Sequence, residues 1–95
     1  MKLHVMVIYD EAIRQYGFPM SFRTHNEVKR EYMTIVNNPS EQSNMHLYPD
    51  QFKVYEIGSY DTETGLVSPL NQPPVFIFRL DELKKKEVDL DEDRG

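Results

Sequence analysis

The sequence predicts a small α+β domain in which an antiparallel sheet packs against one amphipathic helix. Three observations predict it: a Val- and Ile-rich run from Leu3 to Tyr9, a capped apolar stripe from Thr24 to Val36, and two strand-like arms, Phe52 to Tyr60 and Leu66 to Ser68, joined by a glycine-bearing turn. The N-terminal strand, the central hairpin and a late strand are expected to share one sheet. An OB-like barrel is the alternative arrangement of the same strands.

Both alternating sets of the first run, Leu3/Val5/Val7/Tyr9 and His4/Met6/Ile8, are largely apolar, which is the pattern of a strand with neighbours on either side. Asp10 to Phe22 mixes Gly17 and Pro19 with aromatic and basic residues, so a loop with one helical turn at Glu11 to Gln15 is expected. Thr24-His-Asn-Glu27 has the spacing of a capping box that starts a helix. Val28, Tyr32, Ile35 and Val36 then form its apolar stripe, with Lys29, Arg30, Thr34 and Asn37 facing away. Asn37-Asn38-Pro39 ends it, because proline cannot continue a helix and asparagine tolerates a left-handed cap.

Ser40 to Asn44 reads as a polar loop, and Tyr48 to Gln51 as a tight turn into the hairpin. Asp61 to Gly65 is the hairpin turn, its glycine free to take positive φ. Pro69 to Pro74 is an extended connector, Val75 to Phe78 the last strand, and Asp81 the expected cap of a short helix ending in Lys84-Lys-Lys86. The domain is thus read as residues 1–80, followed over 81–95 by a short helix and an acidic tail.

A chain of 95 residues buries roughly 60 to 65% of its unfolded surface, enough for one core. The hydrophobic share of 39% is too high for a wholly disordered chain. The apolar runs fall far short of the ~20 residues a membrane-spanning helix needs, and no signal-peptide pattern opens the chain, so an intracellular protein without a membrane partner is expected. There are no cysteines, which removes disulfides and thiolate chemistry. The net charge of -5 is concentrated: residues 87 to 95 carry five acids and one base, leaving only -1 on the rest. A tethered polyanion of this kind can compete with DNA for a basic surface or simply keep the chain soluble.

Candidate chemistry is sparse. Asp61-x-Glu63-x-Gly65 lacks the remaining ligands of a calcium loop and reads as a turn in which Asp61 bonds its own backbone. His4, His25 and His46 have no short spacing that pairs them with each other or with a carboxylate, so neither a metal site nor a catalytic histidine is predicted. The glycines are isolated, so there is no phosphate loop, and no cofactor is expected. What remains is a binding protein, not an enzyme. Basic and aromatic residues interleave: Tyr9, Arg14, Tyr16, Phe18, Phe22 and Arg23 in the first third, then Phe52, Lys53, Tyr55 and Tyr60 on the hairpin, and Lys29 and Arg30 can join Arg14, Arg23 and Lys53 in one cationic face. Cations for phosphates beside rings for bases is the composition of a single-strand DNA binder. The competing reading puts the phenylalanines, Phe18, Phe22, Phe52, Phe76 and Phe78, in the core and pairs the bases with Glu27, Glu31 and Glu56.

Tyr48-Pro-Asp-Gln-Phe-Lys-Val-Tyr-Glu-Ile-Gly-Ser-Tyr-Asp-Thr-Glu-Thr-Gly65 resembles the signature of the small nonstructural protein of gokushoviruses, single-stranded DNA phages of the Microviridae. The opening Met-Lys-Leu, Phe18-Pro19 before the helix and Val36-Asn37-Asn38 at its end resemble that family as well, so the likeness runs from Met1 to about Pro69. Tyr48 stands where the family has His, and Val54 where it has Leu. The resemblance implies a non-virion protein in the cytoplasm of the bacterial host that binds single-stranded DNA. It would act in phage genome replication or the switch to single-strand synthesis and packaging, with no catalytic residue. The alternative is a protein-interaction module serving a replication or capsid-assembly protein. A symmetric homodimer is expected in either case, since a small sheet leaves unpaired edges.

Overall fold

The computed structural model describes residues 1–39, 43–72 and 74–85. The acidic tail, and most of the polar loop expected at Ser40 to Asn44, lie outside the described residues. The elements run β1 (Lys2–Asp10), β2 (Gln15–Tyr16), β3 (Met20–Phe22), α1 (His25–Val36), α2 (Asn44–Leu47), β4 (Phe52–Asp61), β5 (Val67–Pro69) and β6 (Val75–Arg79). Single 3₁₀ turns precede β4, at Pro49–Gln51, and follow β6, at Leu80–Leu83. The protein is α+β, as the sequence predicts.

Among the described residues all strands pair antiparallel in one open sheet of six. β1 and β4 lie together at its centre. β2 and β3 line the outer side of β1, while β5 and β6 line the outer side of β4, so each edge is built from two short strands. The barrel alternative is thereby excluded, because the sheet does not close. The segment expected to be a loop with a helical turn instead folds back along β1: Glu11 to Arg14 make the turn, and Tyr16 and Met20 to Phe22 add strand pairs. These strands are too short to show periodicity, and pairing to β1 decides their conformation.

The helix stripe seals one face of the sheet. Val28, Tyr32 and Val36 are buried against Met6, Ile8, Phe22, Phe52, Val54 and Phe78. Full burial of a side chain such as Val28 or Val36 contributes about 1.5–3 kcal/mol relative to exposure. Thr24 Oγ1 accepts the Glu27 amide at 3.1 Å, so the expected cap is present, although the Glu27 carboxylate reaches the Arg23 amide, not that of Thr24. At the other end Asn37 has φ of -98°, outside the left-handed region. It caps through its side chain instead: Nδ2 donates to the carbonyls of Met33 and Leu83, and Oδ1 accepts the Lys85 amide.

That clasp fixes the closing 3₁₀ turn, whose Leu80 is fully buried. The turn is shorter than the helix expected there. Its cap is Arg79, and Asp81 accepts two hydrogen bonds from the Arg79 guanidinium. In the hairpin, Gly65 has φ of +74° and Asp61 Oδ1 accepts the Glu63 amide at 2.9 Å, the turn role expected of it. A Cβ on Gly58 would collide with the Ser68 carbonyl oxygen, so glycine is what lets β5 approach β4. Among the described residues no helix is long and apolar enough to cross a membrane.

Candidate functional site

The face of the sheet opposite α1 carries no helix among the described residues. Val5 and Val7 lie on it yet are only 6% and 5% exposed. Val7 stands opposite Tyr55 in the register, and Val5 lines a hollow with Tyr60, Ile57 and Val67. Strand alternation from Val7 sends Tyr9 to the same side, and the register places Tyr16 opposite Tyr9, Tyr55 opposite Val7 and Phe76 opposite Tyr55. The four rings form a row across β2, β1, β4 and β6. Centroids are 4.8 Å apart for Tyr16–Tyr9, 5.7 Å for Tyr16–Tyr55 and 5.8 Å for Tyr55–Phe76, with tilted or edge-on packing. The outer rings are open to solvent, Tyr16 at 51% and Phe76 at 50% exposure.

Two cations flank the row. Lys53 and Arg79 are cross-strand partners. Lys53 Nζ lies 2.6 Å from Glu11 Oε1, a hydrogen bond that raises the lysine pKa above its ordinary value. Arg79 is likewise held by Asp81, raising its pKa and lowering that of the carboxylate. Both cations therefore start with an acidic partner that an anionic ligand must displace.

Of the residues singled out by sequence, Tyr9, Tyr16, Lys53 and Tyr55 come together at the row. Arg14 ends the exposed turn two residues before Tyr16 and has φ of +56°, a left-handed conformation that is costly for a side-chain-bearing residue. Tyr60 lies on the same face but further along β4, beside Val5, Ile57 and Val67 in a shallow apolar hollow. Arg23 sits at the junction of β3 and α1. Lys29 and Arg30 belong to α1, on the other side of the sheet, and Lys29 Nζ stands 6.0 Å from the Phe78 ring centroid. The single cationic face suggested by the sequence is thus divided between two layers.

The residues that the interleaved pattern leaves out are Phe76 and Arg79. Phe22, Phe52 and Phe78 fill the core as expected, but Phe76 joins the open face and Phe18 is 93% exposed. Phe76 and Phe78 are two apart and should share a face; a register shift opposite Val54 and Tyr55 sends them to opposite faces.

A second cluster lies on the helix-bearing side, where the sequence showed no pattern. His4 of β1, His25 at the first position of α1 and Glu56 of β4 converge: His4 Nδ1 and His25 Nε2 each lie 2.8 Å from a different oxygen of the Glu56 carboxylate. Partial burial, the largest single influence, opposes ionisation of Glu56. The hydrogen bonds and charges of the two rings together outweigh it and hold the pKa below the usual range.

The fold and its faces define a two-layer α+β protein with one sheet face sealed by a helix and the other left as an aromatic surface. The family model of the phage ORF5 protein matches residues 3–83, and the chain belongs to that family. No curated protein and no solved structure matches it.

Proposed function

We propose that this protein binds single-stranded DNA across the open sheet face and does no chemistry on it. The aromatic row carries the reading. Rings spread across neighbouring strands offer π-faces to successive bases, each stacking contact contributing ~1–3 kcal/mol without regard to sequence. Lys53 and Arg79 on this face, with Arg14 in the turn that leads into β2, would supply the phosphate contacts, which gives a modest salt dependence: engaging about three phosphates corresponds to a log–log slope near -2.

Membership of a phage protein family supports a role during infection. The likeness to the gokushovirus nonstructural protein supports the finer reading of a role in replication of a single-stranded genome, or the switch to single-strand synthesis and packaging, in the host cytoplasm. A fluorescence-anisotropy titration with a labelled oligothymidylate at two salt concentrations tests the reading. Saturable binding that weakens at high salt and survives competition by duplex DNA is expected. Absence of binding at low salt removes it.

A specific observation also favours a protein partner. Phe18, Ile13 and Met20 are exposed around the short edge strands β2 and β3, an arrangement suited to a second copy in a symmetric homodimer. Sedimentation of the native chain and of Phe18→Ser tests this, with a dimer expected for the first and a monomer for the second. A monomer in both cases overturns it.

A further inference from the structure

We propose that His4, His25 and Glu56 form a binding site for a divalent first-row transition metal, zinc(II) foremost. Their ligand atoms all lie within 4.8 Å of one another, and the residues come from three different elements, β1, α1 and β4. Two imidazole nitrogens and a carboxylate oxygen are a donor set that favours zinc and its neighbours over magnesium or calcium, which prefer oxygen shells.

The geometry needs little adjustment. A tetrahedral ion with bonds of about 2.0–2.1 Å holds its ligand atoms about 3.3 Å apart. The two nitrogen–oxygen separations, now 2.8 Å, would open slightly around the ion. Glu56 is the more buried member, with its side chain 16% exposed, whereas both rings are partly open to solvent. The ion would therefore sit at the surface end of the cluster and keep a coordination position for water or for a donor from a partner. The N-terminus of α1 carries partial positive charge and opposes a cation, but the full negative charge of Glu56 exceeds that partial charge. A bound ion would cross-link the first strand, the central strand and the start of the helix. The site lies across the sheet from the aromatic row and does not depend on the DNA-binding reading.

The test is a cobalt(II) titration of the full chain, purified without a histidine tag and followed by visible ligand-field absorption. One equivalent with the intense bands of a four- or five-coordinate ion is expected, displaced by zinc(II). His4→Gln and Glu56→Gln should each weaken binding by more than the roughly 10–100-fold that loss of an outer-shell partner costs. His46→Gln should leave binding unchanged, since that ring donates instead to the Val36 carbonyl. His25→Cys supplies a direct signature. The chain has no cysteine of its own, so a thiolate-to-cobalt charge-transfer band in the near ultraviolet can arise only from ligation at that position. Failure of the native chain to bind cobalt or zinc stoichiometrically, or retention of native affinity in His4→Gln and Glu56→Gln, overturns the proposal and leaves the three residues as a hydrogen-bonded clasp. Should a substituted chain not fold, the native spectrum alone decides.

Discussion

The two faces of the sheet are built from the same strands and treated in opposite ways. On one, Met6, Ile8, Phe52, Val54 and Phe78 are sealed by the α1 stripe. On the other, Val7 stands opposite Tyr55 in the row of Tyr9, Tyr16, Tyr55 and Phe76, and Val5 lines a hollow with Tyr60, Ile57 and Val67, with no helix on this face among the described residues. A tyrosine can cover an aliphatic side chain while its hydroxyl stays in water, so the second face keeps a large aromatic surface without a second layer. An apolar surface held open in this manner is suited to a partner, whereas the apolar residues beneath α1 serve stability.

The comparison breaks if both faces respond alike to truncation. Phe78→Ala should cost about 3–5 kcal/mol, a large part of the stability of a domain this size, and should appear as a strong fall in the urea midpoint. Gly58→Ala comes next. The added methyl group meets the Ser68 carbonyl oxygen, and separating β5 from β4 to relieve it should cost roughly 1–3 kcal/mol, read in the same unfolding experiment.

Tyr55→Ala should behave differently. Its ring touches Tyr16, Tyr9 and Phe76 on the open face, so it should weaken single-strand binding by ~1–3 kcal/mol, roughly 5- to 150-fold, with the salt slope unchanged. Its effect on the urea midpoint should be well below that of Phe78→Ala. Equal destabilisation would make the open face a second core and not a binding surface.

The sealed face was largely legible in the sequence and the open one only in part. Val28, Tyr32, Ile35 and Val36 announce themselves by helical spacing, and the Asp61–Gly65 turn pins the hairpin through local chemistry. Tyr16 and Tyr55 could be named from composition, but that they meet follows from the β1–β4 register, a long-range fact. The general tendency of phenylalanine to be buried puts Phe76 in the core with Phe78, and only the register shift in β6 turns it to the open face. Glu56 was expected to answer a lysine or arginine. Only the convergence of three distant elements gives it to His4 and His25, and no short spacing encodes that.

A smaller effect sharpens the electrostatic side of the open face. Glu11 engages Lys53 at 2.6 Å, so Glu11→Gln should release the lysine and remove a negative charge beside the row. Binding should tighten a few-fold, and the salt slope should steepen by up to about one phosphate's share, ~0.7 for a single strand. Weaker binding would mean that Glu11 positions Lys53 and does not compete for it.

The smallest expected effect tests the division of the cations. Lys29 and Arg30 are the pair that sequence alone would place beside Arg14, Arg23 and Lys53, yet α1 carries them on the far side of the sheet. Exposed charges separated by more than a Debye length, about 8 Å at physiological ionic strength, are largely screened from one another. The Lys29→Ala/Arg30→Ala double variant should therefore leave affinity and salt slope at 0.15 M unchanged within a factor of about two. Arg14→Ala/Arg79→Ala, on the aromatic side, should flatten the slope by about 1.4. If the helix pair flattens it instead, the strand runs over α1, and the aromatic row is not where the DNA lies.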